Sequence, residues 1–387
     1  MNAKPMTPSE RVYITMSGGK ADRVPVIPKM WVDTAANLTG ASLLEVVRNP
    51  AAALRVMIDA ALVCNTDAIR VWHFPRRDAR AGSDGRVIEY NRDGRAIGEV
   101  DMTGGLQTHL YSPEHFDVSD PYTMVHHHFW TCVEKPLVGT VEDAARIYVP
   151  RPADYVRFGC ADRLRAQLAR AGDKVLVIGD CDCPTLSFHI SFRGMDNALM
   201  DLIDNPELAN AVMDKATAIA IERAKFNIDI GLRVLRFHDS AATMTLLSPA
   251  TWREYIKPRF TRFCTEVHAY CPDVRLFCHI CGNIMPALND LVETGVDCIA
   301  PLDPLGGMTT KAAREIVGGR AALMGGVNTL SFINSTPEQI VEEARVCIDG
   351  AAADGGYILG SGCDVPRYAK LENLLALAGA ARKHGTY

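Results

Sequence analysis

The sequence predicts an α/β fold, a (β/α)8 barrel, and three observations carry that prediction. Eight short runs rich in Val, Ile and Leu recur along 387 residues, as buried parallel strands do. Amphipathic stretches with helical spacing alternate with them. No Gly-rich G-x-G-x-x-G turn follows an early strand, which argues against the structural alternative, a doubly wound open sheet.

The first run is Asp22 to Trp31, whose Pro residues suit the start of a strand and not its interior. The Ser17-Gly18-Gly19-Lys20 before it lacks the GxxxxGK frame of a phosphate loop and reads as a helix stop. Later strands are expected at 67–74, 174–180, 233–239, 274–279, 296–300, 321–326 and 356–360. Helical patterns cover 41–61, 195–227, 249–270, 283–294, 309–317, 337–352 and 368–382. The helix at Pro337 has a start signal, with Ser335-Thr336 as caps, Pro337 at the first helical position and Glu338 behind it. Between the second and third strands, about residues 75–150, the pattern turns β-like. Arg86 to Tyr90, Asn91-Arg92-Asp93-Gly94 and Arg95 to Val100 read as a hairpin. This is an insertion over the barrel mouth, within one domain spanning 1–387.

Composition narrows the function. The chain carries 41 Lys+Arg against 46 Asp+Glu, a net charge of −5, and so has no polybasic character for nucleic acid. No apolar run reaches the roughly 20 residues of a membrane span. The N-terminal residues lack the apolar core of a signal peptide, so a cytoplasmic location is expected. The 48% hydrophobic content can bury a sizeable core. The 12 cysteines are then reduced: core fillers, metal ligands or nucleophiles.

Barrel active sites draw on the C-terminal ends of strands. There the sequence places Trp31, His73, Asp180-Cys181-Asp182-Cys183, His238-Asp239, His279-Ile280-Cys281-Gly282, Asp303, Gly326-Val327-Asn328 and Ser361-Gly362-Cys363-Asp364. Residues two apart at a strand end face the same side, so His279 and Cys281 can both face the mouth, with Cys363 following the eighth strand, across the barrel from the fifth. One imidazole and two thiolates make a zinc set; the alternative is that these side chains are buried and inert. Cys181-x-Cys183 lacks the CxxC gap and reads as buried loop cysteines. His126-His127-His128 reads as a solvated loop or lid. His238-Asp239 either handles a substrate proton or is a structural pair. Gly325-Gly326 either cradles an anion or allows close backbone packing. Trp31, Trp72, Phe74, Phe188 and Phe192 lie near strand ends, where they line a pocket for a flat substrate or belong to the core; Trp31, Trp72, Phe188 and Asn328 are the substrate-binding candidates.

The series Ala21-Asp22-Arg23-Val24-Pro25-Val26, Ser248-Pro249 with Pro258, His279-Ile280-Cys281-Gly282-Asn283, Gly295-Val296-Asp297, Gly325-Gly326-Val327, Gly362-Cys363-Asp364-Val365-Pro366 and Asn373 resembles the uroporphyrinogen decarboxylase superfamily across essentially the whole chain. True decarboxylases carry an Arg-rich segment after the first strand, where this chain reads Lys29-Met30-Trp31-Val32-Asp33-Thr34-Ala35-Ala36. The cobalamin-dependent methyltransferases of the superfamily bind zinc through His-x-Cys and a distant Cys, and His279, Cys281 and Cys363 match that pattern. The resemblance implies an acidic fourth ligand near Asp303. It also implies methyl transfer by in-line displacement, with His238, Asp239 or His73 as proton donor to a leaving oxygen. No DxHxxG corrin motif is present, so the corrinoid is expected on a separate protein that docks at the mouth. The first expectation is O-demethylation of a small methoxylated, aromatic compound. The alternatives are methylation of a thiol from methylcobalamin, a metal-independent decarboxylase, and a non-catalytic docking protein.

Overall fold

Proline placement and inside–outside alternation account for most of this architecture. The computed structural model describes residues 5–70, 77–126 and 131–387. Its strands are β1 (Ala68–Arg70), β2 (Asp78–Ala81), β3 (Val87–Tyr90), β4 (Ala96–Val100), β5 (Thr108–Leu110), β6 (Thr131–Cys132), β7 (Leu176–Asp180), β8 (Val234–His238), β9 (Arg275–His279), β10 (Cys298–Leu302), β11 (Ala322–Val327) and β12 (Tyr357–Ser361). Seven of them form a parallel sheet in the order β1-β7-β8-β9-β10-β11-β12.

The expected first strand is not a regular strand. Residues 24–29 make only two isolated bridges, Val26 with Leu359 and Lys29 with Asp364. Pro25 and Pro28 have no N–H to give a ladder. The segment still fills the eighth position. The Ile27 N–H donates to Leu359 O at 2.8 Å, and the Asp67 N–H donates to Val26 O at 2.9 Å. One bond reaches β12 and the other the entry to β1, so the sheet closes into a ring.

Alternation along the strands divides the core in two. Ile27, Ala68, Ile178, Val234, Phe277, Ala300, Met324 and Ile358 meet inside the ring with Val12 and Met16. Their neighbours Val26, Ile69, Val177, Leu235, Leu276, Ile299 and Leu359 face the surrounding helices. Val12 and Met16 belong to the helix Pro8–Met16, which stops at Ser17 with Gly18 at φ 80°. Tyr13 Oη donates to Asp273 O, and Arg275 Nε donates to Ser17 Oγ. Both contacts lie at the start of β9, so this helix seals the N-terminal end and leaves the C-terminal end as the mouth.

Two long helical patterns are cut at an Asn-Pro step. The 41–61 pattern becomes Leu43–Arg48 and Pro50–Val63, with Asn49 Oδ1 accepting from the Ala51 and Ala52 N–H groups. The 195–227 pattern becomes Met195–Asp204 and Pro206–Asp229, capped by Asn205. Proline starts a helix well and continues one badly. The 249–270 pattern opens with Pro249–Thr251 and a π-turn, Trp252–Ile256, before Lys257–Tyr270. Pro258 removes a backbone donor there, which accounts for the wider turn.

Strands β2 to β6 form a second sheet in chain order. The β3–β4 turn is built by Asn91 Oδ1, which accepts from the Asp93 and Arg95 N–H groups, with Gly94 at φ 78°. After β4, the turn at 101–104 meets Arg367, whose guanidinium donates to Met102 O at 3.0 Å, Gly104 O at 2.7 Å and Asp33 Oδ2 at 2.9 Å. Arg367 follows β12, so the second sheet is tied to a loop at the mouth. None of the helices described is long and apolar enough to cross a membrane.

Candidate metal centre

His279 ends β9, and its inward direction follows from alternation with Phe277. The next turn is fixed from two sides. The Ile280 N–H donates to Ala300 O at 2.8 Å, and the Gly282 N–H donates to Asp303 Oδ2 at 3.0 Å. Gly282 has φ 77°, and a side chain at Gly306 would meet its carbonyl carbon at 2.4 Å. Both glycines are therefore needed for the loop that follows Cys281. Cys363 comes two residues after β12. Ser361 Oγ donates to Cys363 O at 2.6 Å and accepts the Lys29 N–H at 2.9 Å.

These elements bring His279, Cys281 and Cys363 together, with one donor atom from each inside 4.8 Å. Donor atoms on one tetrahedral zinc lie about 3.3–3.8 Å apart, so the set fits that ion in size and chemistry. His279 is buried, while both thiols are half-buried. The Cys363 thiol donates a hydrogen bond to Cys281, which with the Lys29 charge brings Cys281 down to about 6 against the cost of burial. As the donor in that bond, Cys363 is raised.

Lys29 was not singled out by sequence reasoning. Its side chain is 6% exposed. Nζ lies 3.1 Å from His279 Nε2, 2.8 Å from Asp364 Oδ2 and 5.3 Å from the centre of the Trp31 ring. A lysine inside an apolar run was the only signal that could have flagged it.

The other expected residues divide. Asp303 is not in the donor group. Its Oδ1 accepts from the Leu305 N–H at 2.9 Å and its Oδ2 from Gly282, so both oxygens serve backbone. Asp239 is fully buried and accepts hydrogen bonds from Thr185 Oγ1, Ser187 N–H and Oγ, and the Ala241 N–H. Burial raises it, against the lowering by Ser187 and Thr185. Its geometry is that of an anchor for the loops after β7 and β8. His238 is buried against Cys183, whose Sγ is 3.1 Å from Nδ1 and 3.3 Å from Nε2. Asp182, Cys183 and His238 form a second close group. There Asp182 is paired with Arg223 at 2.6 Å, and burial, with Asp182 and Asp239 close by, pushes the Cys183 thiol well up. Asp182 thus already has a charged partner within this group.

Phe188 has no exposed surface, and its ring stacks on Phe192 at 4.4 Å in an apolar cluster with Val212 and Ala216. Asn328 builds the turn after β11, its Oδ1 accepting from the Leu330 N–H at 2.9 Å. His73, Trp72 and Phe74, with His127 and His128, lie outside the described residues. His126 stacks on Tyr122 at 4.2 Å. Gly325 is a packing glycine, because an added Cβ would meet Leu302 N at 2.6 Å.

A model of the family described as Uroporphyrinogen decarboxylase (URO-D) matches residues 123–384. The chain is similar to a methylated-thiol–coenzyme M methyltransferase of Methanosarcina mazei, 28% identical over 200 residues, 51% of this chain and 50% of that protein. It is similar to MtaA, a methylcobamide:CoM methyltransferase of Methanosarcina barkeri, 24% identical over 212 residues, 54% of this chain and 59% of the other. It is also similar to a uroporphyrinogen decarboxylase of Dictyostelium discoideum, 26% identical over 196 residues, 49% of this chain and 52% of the other. The chain thus spans about half of the length of the curated relatives it matches. Among solved structures, a methyltransferase from Methanosarcina mazei shares the fold, with a TM-score of 0.67 at 19% identity over 98% of this chain and 99% of that one.

Proposed function

The chain belongs to the uroporphyrinogen decarboxylase family, and from that premise we propose that it is a zinc-holding methyltransferase working with a corrinoid carried by a separate protein. The observation that carries this reading is the half-buried group of His279, Cys281 and Cys363 at the barrel mouth. These three residues would hold the ion, which supplies Lewis acidity to a sulfur or oxygen that gains or loses a methyl group.

The chain's own groups do the rest. The hydrogen bond from Cys363 to Cys281 favours the thiolate form of Cys281, the form a metal ion binds. Asp303 and the Gly282–Gly306 contact hold the Cys281 loop in place. Asp239 anchors the loops after β7 and β8 on the same rim. We propose that the second sheet, tied through Arg367 to the loop after β12, helps to exclude water from the mouth.

As donor we propose a small methoxylated, aromatic compound, demethylated at oxygen. Trp31 beside the centre supports a flat substrate. A second reading, methyl transfer to or from a thiol, is favoured by the names of the Methanosarcina relatives. The test is to mix zinc-loaded protein with cob(I)alamin and a methoxylated arene, a methyl thioether or a methylamine, and to follow the visible spectrum. Methylcobalamin formed from the arene supports the first reading, and from the thioether the second. A native protein that takes up no zinc overturns both.

A further inference from the structure

We propose that Ser240 is a positioning residue of this centre, its hydroxyl donating to the Cys281 sulfur and so setting how much charge that sulfur gives a bound ion. The inference rests on the metal-holding reading above. Strand register leads to it. His238, the last residue of β8, is the partner of His279, the last residue of β9, on parallel strands about 4.8 Å apart. The pairing runs one bond further, with the Asp239 N–H donating to His279 O at 3.0 Å. The chain then turns, and the Ala242 N–H closes the turn on Asp239 O at 3.1 Å. Ser240 stands exposed at the corner of that turn, two residues past His238 as Cys281 is two past His279. Its hydroxyl donates a hydrogen bond to the Cys281 sulfur.

The placement is held by a seam between two loops. On the near side of Ser240 is the bond from Asp239 to His279. On the far side the Met244 N–H donates to Asn283 O at 2.8 Å, and Thr243 Oγ1 donates to the same oxygen at 3.1 Å. A side chain at Gly282 would meet Thr243 Oγ1 at 2.9 Å, so the two loops are in close contact just past Cys281. The turn itself is anchored from the buried side. Asp239 Oδ1 and Ser187 Oγ both accept from the Ala241 N–H, at 3.1 Å each. The loop that carries Cys281 is therefore laced to the turn that carries Ser240 both before and after the pair.

A hydrogen bond to a ligating sulfur draws charge from it and fixes the direction of its lone pairs, as outer partners of metal ligands do. The hydrogen stays on the serine oxygen, so no proton changes hands. A sulfur that gives less charge leaves the ion more Lewis acidity for a substrate oxygen or sulfur. The sequence pair His238-Asp239 then supports the turn, while the next residue carries the group that reaches the centre.

The test compares Ser240→Ala, Ser240→Thr and Thr243→Val with the unaltered full chain, with circular dichroism of the metal-free proteins to verify folding. The charge on sulfur is read from the thiolate-to-cobalt charge-transfer band of the Co²⁺-loaded proteins, and zinc affinity by chelator competition. Ser240→Ala should move the band to lower energy, because the sulfur regains its charge, and should weaken zinc binding on the order of 10–100-fold. Ser240→Thr keeps the hydroxyl and should keep the parent's band. Thr243→Val cuts the seam without touching the sulfur and should keep it too. A Ser240→Ala protein with the parent's band, whatever its zinc affinity, overturns the proposal while leaving the metal centre standing. So does a Thr243→Val protein whose band moves as far as that of Ser240→Ala, since the shift then belongs to loop position and not to the hydroxyl. A parent chain that binds neither metal overturns the metal-holding reading and this inference together.

Discussion

His189 has no exposed surface and lies 3.1 Å from Asp201 Oδ2 in the helix Leu186–Arg193. Burial holds its imidazole neutral, down to about 4, although Asp201 pulls the other way. In the unfolded chain the same ring titrates near 6.5. Between those values the unfolded state binds the extra proton, so stability rises with pH across this window and is lost as the pH falls through it. The whole shift corresponds to about 3 kcal/mol. Urea midpoints measured from pH 7 to 4.5 should fall, and His189→Gln should flatten that slope; a variant with the parent's slope removes the account. Chemical labelling gives a second test. Cys281, brought to about 6, should react with iodoacetamide at pH 7 in the metal-free protein faster than the buried Cys264, which is pushed well up by burial. Equal rates would contradict the hydrogen-bonded arrangement. Much of this site was legible in the sequence. The His279-x-Cys281 spacing is local, and a strand end turns spacing into direction. Lys29 was not legible, because the group that orients it, Asp364, lies 335 residues away. Phe188 was misleading for a related reason: proximity to a strand end does not say whether an aromatic ring faces the mouth or a neighbouring helix.

At the scale of elements, two connections carry testable weight. Arg236 on β8 pairs with Asp180 on β7 at 3.0 Å, with side chains 1% and 5% exposed. Arg236→Met would leave a buried carboxylate unpaired at a cost of about 3–5 kcal/mol. Thermal or urea unfolding checks this, and a change below about 1 kcal/mol would mean that the pair acts like a solvated one. Arg367 is the other connection. Arg367→Met removes three charge-assisted bonds to Asp33, Met102 and Gly104. Hydrogen exchange should quicken in residues 101–106 and stay unchanged in β9, because each such bond contributes about 1.5–3 kcal/mol locally. Equal protection in both variants would show that the second sheet is held elsewhere. Sequence periodicity located β7 to β12 and most helices to within a few residues. It failed where prolines act, since hydrophobic patterns run straight through Asn49-Pro50 and Asn205-Pro206 while the backbone cannot. It also drew a strand through Pro25 and Pro28 where only isolated bridges form.

For the whole molecule, ring closure and ion binding are one question. The barrel was legible because strands and helices alternate, and because strands buried on both faces are short and aliphatic. The closure itself was not, since it depends on pairing between residues 24–29 and β12 at the far end of the chain. If His279, Cys281 and Cys363 hold zinc, loading should stabilise the fold by about 2.7 kcal/mol at a free concentration 100 times the dissociation constant. Cys363→Ala should abolish that gain together with the stoichiometric zinc. Calorimetry with and without a chelator measures it, and an unchanged melting temperature on loading would disprove the linkage.

The seam between residues 24–29 and β12 has a consequence for how the chain comes of age. His279 stands 250 residues from Lys29, and Asp364 stands 335 from it. A growing polypeptide that has made β9 owns an imidazole and one thiol, but neither the second thiol nor Asp364, the partner of Lys29. If the three side chains hold an ion, a durable grip exists only after the last strand has docked beside the first segment, and tight retention would then certify a finished, correctly closed ring.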